Sequence, residues 1–153
     1  MRLILRFDFY SDDELTTVLK HRAKCLRWDV DEQLLPLIGK RSRGTPRLAL
    51  RLLQACHRVC RSIGEYNITH DHLDRACSLE QIDPLGLGPI EQKYIGILKD
   101  GPQRLNVIAS ILGLPSRTIA SVTEPFLIRS QLVFKDDQSK RQLTAQGYEH
   151  ASK

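Results

Sequence analysis

Arg41-Ser42-Arg43-Gly44-Thr45-Pro46-Arg47-Leu48-Ala49 is the stretch on which the reading of this chain turns. Gly-Thr-Pro marks a helix start: threonine is a favoured N-cap, and proline suits the first helical position, where its missing N–H costs nothing. Arg47 then projects from the first turn, beside free backbone N–H groups and the positive end of the helix dipole. A cation is disfavoured there, so its placement asks for an anion, and phosphate is the natural one.

The helix that follows keeps a pattern. Arg47, Arg51, Gln54, Arg58 and Arg61 recur every three or four residues in one stripe, and Leu48, Leu52, Ala55, Cys56, Val59 and Ile63 repeat on the other side. No Asp or Glu stands between Glu32 and Glu65, although the stretch also carries Lys40, Arg41 and Arg43. An ordinary amphipathic helix with a solvated basic face explains the stripe equally well. It does not explain Arg47.

Working outward, Leu3 to Phe9 alternates apolar and charged residues and reads as a short strand or extended entry. Ser11-Asp12-Asp13-Glu14 is a capping box that starts a helix through about Leu26. A shorter helix is expected over residues 31–41, then the helix over 46–62. Tyr66-Asn67-Ile68 reads as an extended link, and Thr69 caps a fourth helix to about Leu79. The expected bundle occupies residues 1–82, and Asp83-Pro84-Leu85-Gly86-Leu87-Gly88-Pro89 is a linker by composition.

Residues 90–153 change character. Ile90, Tyr94, Ile97 and Leu98 mark one helix; Leu105, Ile108, Ala109 and Leu112 mark a second, ended by Gly113. Pro115-Ser116 opens a third, with Ile119, Val122 and Phe126 inward. Leu132-Val133-Phe134-Lys135 and Gln142-Leu143-Thr144 flank Asp136-Asp137-Gln138-Ser139 as a hairpin. Three helices and a hairpin make a winged helix, with the second and third forming a helix-turn-helix. The fold class expected is mainly α, a four-helix bundle followed by a winged helix with a small β-hairpin.

The net charge of +5 at pH 7 favours a polyanionic partner modestly, and both halves share it. Cys25, Cys56, Cys60 and Cys77 lack Cys-x-x-Cys spacing and lie on apolar helix faces, which suggests buried free thiols in a reducing cytosol. Cys56, His57 and Cys60 invite a zinc reading, but His57 points away from the two thiols, so no metal site is expected. No signal peptide or membrane span is seen, and a cytoplasmic location is expected.

Nucleotide-hydrolysing parts are absent. Gly39-Lys40 lacks the glycine five residues earlier, where Leu34 stands, and Gly86-x-Gly88 meets Glu91 where a third glycine belongs. His70-x-His72, at a helix start, reads as solvated capping. No catalytic residue and no ATPase activity are expected of these residues alone.

Several segments, in order, resemble the RuvB family of Holliday junction branch-migration motors. Arg6-Phe7-Asp8-Phe9-Tyr10 with Glu14-Leu15 is similar to the start of its small ATPase domain, the AAA+ lid. The block from Arg41 to Ala49 with Arg51-Leu52-Leu53 is similar to that domain's signature. Asp83-Pro84-Leu85-Gly86-Leu87 resembles the link to the third domain, and Glu124-Pro125-Phe126-Leu127-Ile128 the segment before its wing. In the family a large ATP- and magnesium-binding domain precedes these parts. The chain is therefore expected to begin where that domain would end, with ATP and Mg2+ needed only if a motor domain is supplied.

The resemblance implies roles. Arg47 matches the sensor arginine that reaches ATP phosphate, with Thr45 and Pro46 fixing its helix; an Arg fork holds phosphate oxygens bidentately and stays charged. Lys135, Lys140 and Arg141 match wing cations that contact the DNA backbone, and Arg117 adds a polar helix-three face. Asp136 and Asp137 depart from the family and would repel phosphate there. The implied partners are Holliday junction or duplex DNA, RuvB-type motor subunits and RuvA, in DNA recombination and repair. The rival readings are a stand-alone winged-helix regulator that binds duplex DNA and a docking module for RuvB hexamers.

Overall fold

A computed structural model describes residues 8–152. The strand expected over Leu3–Phe9 falls largely outside these residues; Asp8 and Phe9 are in no strand. The chain divides into two units, one ending at Gly86 and the other starting at Leu87. The stretch expected as a linker, 83–89, is thus shared between them.

In the first unit, α1 spans Asp12–Leu26, β1 Asp29–Val30, α2 Leu34–Lys40, α3 Pro46–Ser62, β2 Asn67–Ile68 and α4 His70–Glu80. The capping box forms: Glu14 N–H donates to Ser11 Oγ at 3.2 Å, and Ser11 N–H donates to Glu14 Oε2 at 2.8 Å. The second helix starts later than expected. Asp31 Oδ1 accepts from Gln33 N–H at 3.0 Å, and this side-chain turn occupies the residues that would have been its first turn. The core is built from Leu15, Leu19, Leu34, Ile38, Leu53 and Leu73, all essentially inaccessible. β1 and β2 add a two-residue parallel bridge, Val30 opposite Ile68.

Two side-chain stacks finish this unit. Trp28 lies parallel to His57, ring centroids 3.9 Å apart. The Arg61 guanidinium sits 4.2 Å over the Tyr66 ring.

In the second unit, α5 spans Pro89–Lys99, β3 Gln103–Arg104, α6 Leu105–Leu112, α7 Ser116–Thr118, α8 Glu124–Arg129, β4 Val133–Lys135, β5 Lys140–Leu143 and α9 Ala145–Ala151. The sheet order is β3-β5-β4, both pairings antiparallel. Gly113 ends α6 in the left-handed region at φ 67, as its sequence position suggested. β3 and α9 were not expected.

The third helix departs from α geometry. Residues Ile119–Thr123 form a π turn between α7 and α8. A wider turn takes one extra residue, so the inward set moves along by one. The buried residues are Ile119, Thr123, Glu124 and Leu127, whereas Val122, expected inward, is 67% exposed and Phe126 is only partly buried.

Candidate functional site

The first candidate lies at the start of α3. Ser42 Oγ donates to Ile38 O, and Thr45 N–H donates to Ser42 O at 2.9 Å, so the chain turns tightly out of α2. Gly44 sits at φ 68, and a Cβ there would come within 2.8 Å of the Phe9 Cβ, so only glycine fits. Tyr10 N–H then reaches Gly44 O at 2.9 Å.

Thr45 holds the N-cap position, but its hydroxyl donates to Arg43 O at 3.4 Å and does not cap the helix. The expected side-chain cap is therefore absent, and the first-turn amides of α3 keep their donors free of it. Pro46 is the first helical residue, as expected. Arg47 follows it, exposed, with no ion-pair partner among the described residues. The rest of the stripe is partly engaged: Arg51 and Arg58 approach Glu80 at 3.8 and 3.6 Å.

The second candidate is the wing. Residues directly opposite in an antiparallel ladder share a sheet face. Gln103, Arg141 and Lys135 are opposite one another and face inward; Arg104 and Lys140 are opposite each other on the outer face. Arg141 is only 7% exposed. Its Nε donates to Glu124 Oε1 at 2.6 Å, its Nη2 to Oε2 at 3.3 Å, and its Nη1 to Ser139 O at 2.7 Å. Tyr94 OH also donates to Glu124 Oε1, at 2.7 Å.

Arg141, expected at the DNA backbone, is instead the buried partner of Glu124. Its guanidinium is consumed inside the domain. Lys135 is half-exposed, with Nζ 3.7 Å from Glu124 Oε2. Lys140 alone of the three expected wing cations stands on the outer face. Arg117 is exposed on helix three, as are Thr118 and Ser121.

The acidic tip also differs from expectation. Asp136 Oδ1 accepts from Gln138 N–H at 2.9 Å and Lys140 N–H at 2.8 Å, and its Oδ2 accepts from Gln142 Nε2 at 2.8 Å. It holds the hairpin turn together. The Lys140 amide and its companions keep the Asp136 carboxyl below its ordinary pKa. Burial pushes the Glu124 carboxyl up, but hydrogen bonds from Arg141 and Tyr94 with the charges of Arg141 and Lys135 more than offset it, leaving it low.

The remaining sequence candidates have structural roles. Cys56, Cys60 and Cys77 are buried; Cys25, expected to be buried too, is exposed. Burial, with Cys77 nearby, pushes the Cys56 thiol up to about 12, so it is inert. His57 stacks on Trp28, and no group of three metal-ligating side chains occurs among the described residues. His72 caps α4, its Nδ1 accepting from Thr69 N–H at 3.0 Å, but it is buried and 3.1 Å from Glu65. No single helix among the described residues is long and apolar enough to cross a membrane.

Sequence reasoning missed Glu124 as a wing anchor and Arg104 as a wing cation. The signals are a carboxylate inside an apolar helix pattern and a cation between Pro102 and the apolar run of α6.

Known proteins share this architecture. The family model of the RuvB AAA lid domain matches residues 10–83, and that of the RuvB C-terminal winged helix domain matches residues 84–152. The Holliday junction branch migration complex subunit RuvB of Kosmotoga olearia is 32% identical over 152 residues, covering 97% of this chain and 44% of the relative. That of Fervidobacterium nodosum is 34% identical over 135 residues, covering 86% and 39%. The chain spans less than half the length of these curated relatives. The solved Thermotoga maritima RuvB Holliday junction branch migration motor is similar with a TM-score of 0.89 at 29% identity, over 97% of this chain and 51% of that one. With both of its units matched in order, the chain belongs to the RuvB family, of which it carries the AAA lid domain and the C-terminal winged helix.

Proposed function

We propose that this chain supplies the nucleotide-sensing lid and the DNA-contacting winged helix of a RuvB-type Holliday junction branch-migration motor, acting in the cytoplasm in DNA recombination and repair. The observation that carries the reading is Arg47: a cation held by Pro46 in the first turn of α3, exposed, and without an ion-pair partner among the described residues. That placement costs electrostatic free energy unless an anion completes it. The terminal phosphates of ATP are the fitting anion, because a guanidinium meets two phosphate oxygens at once. When bound, ATP would bring the negative charge that Arg47 answers. The described residues offer no magnesium-binding cluster. In this reading magnesium and hydrolysis are supplied by a RuvB-type motor domain, with RuvB-type motor subunits and RuvA as partners.

Duplex or junction DNA is the proposed ligand of the second unit, through its backbone. Lys140 on the outer sheet face, half-exposed Lys135 and Arg117 on helix three supply the cations. The regulator reading is disfavoured by the first unit, since a simple duplex-DNA regulator has no use for an arginine placed like Arg47 to meet phosphate at the start of α3.

The test grafts this lid onto a family motor domain. Hydrolysis is expected in the graft, and Arg47→Ala should lower it by a hundred- to thousandfold, the roughly 2.7–4 kcal/mol cost of losing a charged transition-state contact. An alanine graft as fast as its parent sinks the sensor assignment.

A further inference from the structure

We infer that Arg104 and Lys140 form a single phosphate-binding pair on the outer face of the β3-β5-β4 sheet, and that this pair, rather than the cations of the hairpin alone, is the main DNA-backbone contact of the winged helix. The inference rests on the proposed DNA role and names the residues that carry it out.

Three observations support it. First, Arg104 and Lys140 are direct cross-strand neighbours in the β3–β5 ladder. Directly opposite residues put their side chains on one face a few ångströms apart, and two like charges in that position repel. Secondly, Arg104 is the N-cap residue of α6, with φ −79 and ψ 151, and its side chain makes no capping hydrogen bond. A cation at a helix N-terminus is disfavoured a second time, by the dipole. Thirdly, among the described residues no carboxylate forms an ion pair with Arg104, which is exposed.

Asp136, at the start of the hairpin turn, offsets part of the Lys140 charge, but its oxygens are held by the hairpin's own donors and it forms no ion pair with Arg104. Two cations side by side, one of them also against a helix dipole, make a poor surface by themselves. They make a good one when a phosphate lies between them. Phosphate would accept from the Arg104 fork and the Lys140 ammonium together, and each charge would then lose its repulsion.

The inward turn of Arg141 makes the assignment sharper. The strand alternation that commits Arg141 to Glu124 is the one that presents Lys140 outward, and β3 brings Arg104 beside it. The hairpin's loss of one outward cation is offset by a cation from a strand that lies 36 residues earlier than Lys140 in the sequence.

The test measures binding of the full chain to a duplex DNA of arbitrary sequence across a salt series, for the parent, Arg104→Gln, Lys140→Gln and the double variant. Arg75→Gln, on α4 of the other unit, controls for the loss of one charge. Each single variant should weaken binding about eightfold near 0.1 M salt and flatten the slope of log K against log salt by about one. The control should move neither. In the absence of DNA, Arg104→Gln should also raise the thermal midpoint of the second unit at low salt, because it relieves the repulsion, and this shift should shrink at high salt. If the parent binds and Arg104→Gln leaves slope and affinity unchanged, the pair is wrong while the DNA role stands. If the parent does not bind duplex DNA at low salt, the DNA role itself falls and the pair with it.

Discussion

Arg47 and Arg141 look alike in the sequence, each a basic residue beside a motif, and they end in opposite surroundings. Arg47 stands exposed on the first turn of α3, with no ion pair among the described residues. Arg141 is buried, shares its donors between Glu124 and Ser139 O, and meets a carboxylate that also accepts from the Tyr94 hydroxyl. The difference is one of range. Most of what positions Arg47 lies within a few residues of it, in Gly44, Thr45 and Pro46, with Phe9 and Tyr10 packed against the turn. What positions Arg141 lies 17 residues earlier in the chain, in a glutamate that apolar neighbours disguise. A cation becomes a ligand contact or a fold contact according to what the tertiary structure sets against it.

The largest test of this contrast removes the partner. Glu124→Ala should destabilise the second unit by about 3–5 kcal/mol, because it leaves a buried guanidinium unpaired. Denaturant unfolding reads the loss; a cost below about 1 kcal/mol would mean that Arg141 finds water easily and is not committed inward. The companion variant, Glu124→Leu with Arg141→Met, should fold with stability equal to the parent or better, since a matched apolar pair avoids the desolvation of two ions.

Acid should act next. The Glu124 carboxyl is held below its ordinary pKa in the folded state, so it contributes stability that is present above the unfolded carboxylate pKa, about 4.3. That contribution disappears as pH falls through the folded value. The second unit of the parent should therefore weaken steadily below about pH 4.5. The Leu/Met companion should lack this part of the slope; an identical acid profile in the two proteins would place the pH dependence elsewhere.

At the small end are changes to local devices. Ser11→Ala should cost about 1 kcal/mol, the usual value of an N-cap, measured on the first unit. Arg47→Ala should change stability by less than about 0.5 kcal/mol, because nothing in the described fold leans on it. A large loss there would make Arg47 a structural residue like Arg141 and erase the comparison.

How much was legible follows the same line. Ser11 with Glu14, Pro46, Thr69 and Gly113 announced helix ends correctly, since capping is decided within four residues. The hairpin was visible through its alternation. The bridge of Asp29 to Asn67 and the pairing of Arg104 with Lys140 were not, because two-residue strands carry no period and exist only through distant partners. The π turn was hidden for a different reason: one inserted residue shifts the buried face without changing composition, and so Val122 was assigned inward although it is Thr123 that is buried. At the candidate sites, the position of Arg47 on the first turn of α3 was readable from sequence, while the cross-strand placement of Arg104 and the burial of Glu124 were not.

Trp28 has an optical consequence. It is the one tryptophan among the 153 residues. Its indole emission therefore reports on the unit that ends at Gly86, while the unit from Leu87, with Tyr94 and Tyr148, emits only through tyrosine. The indole lies face to face with His57, and a protonated imidazole quenches indole fluorescence more strongly than a neutral one. Burial and the neighbouring Arg61 hold the His57 pKa below its ordinary value. Red-edge excitation should thus give brighter light at neutral pH than in acid. Because Tyr10 and Tyr66 share the first unit with Trp28, it is red-edge excitation that singles out one half: the melting of the unit ending at Gly86 can be watched by itself, without attaching a label.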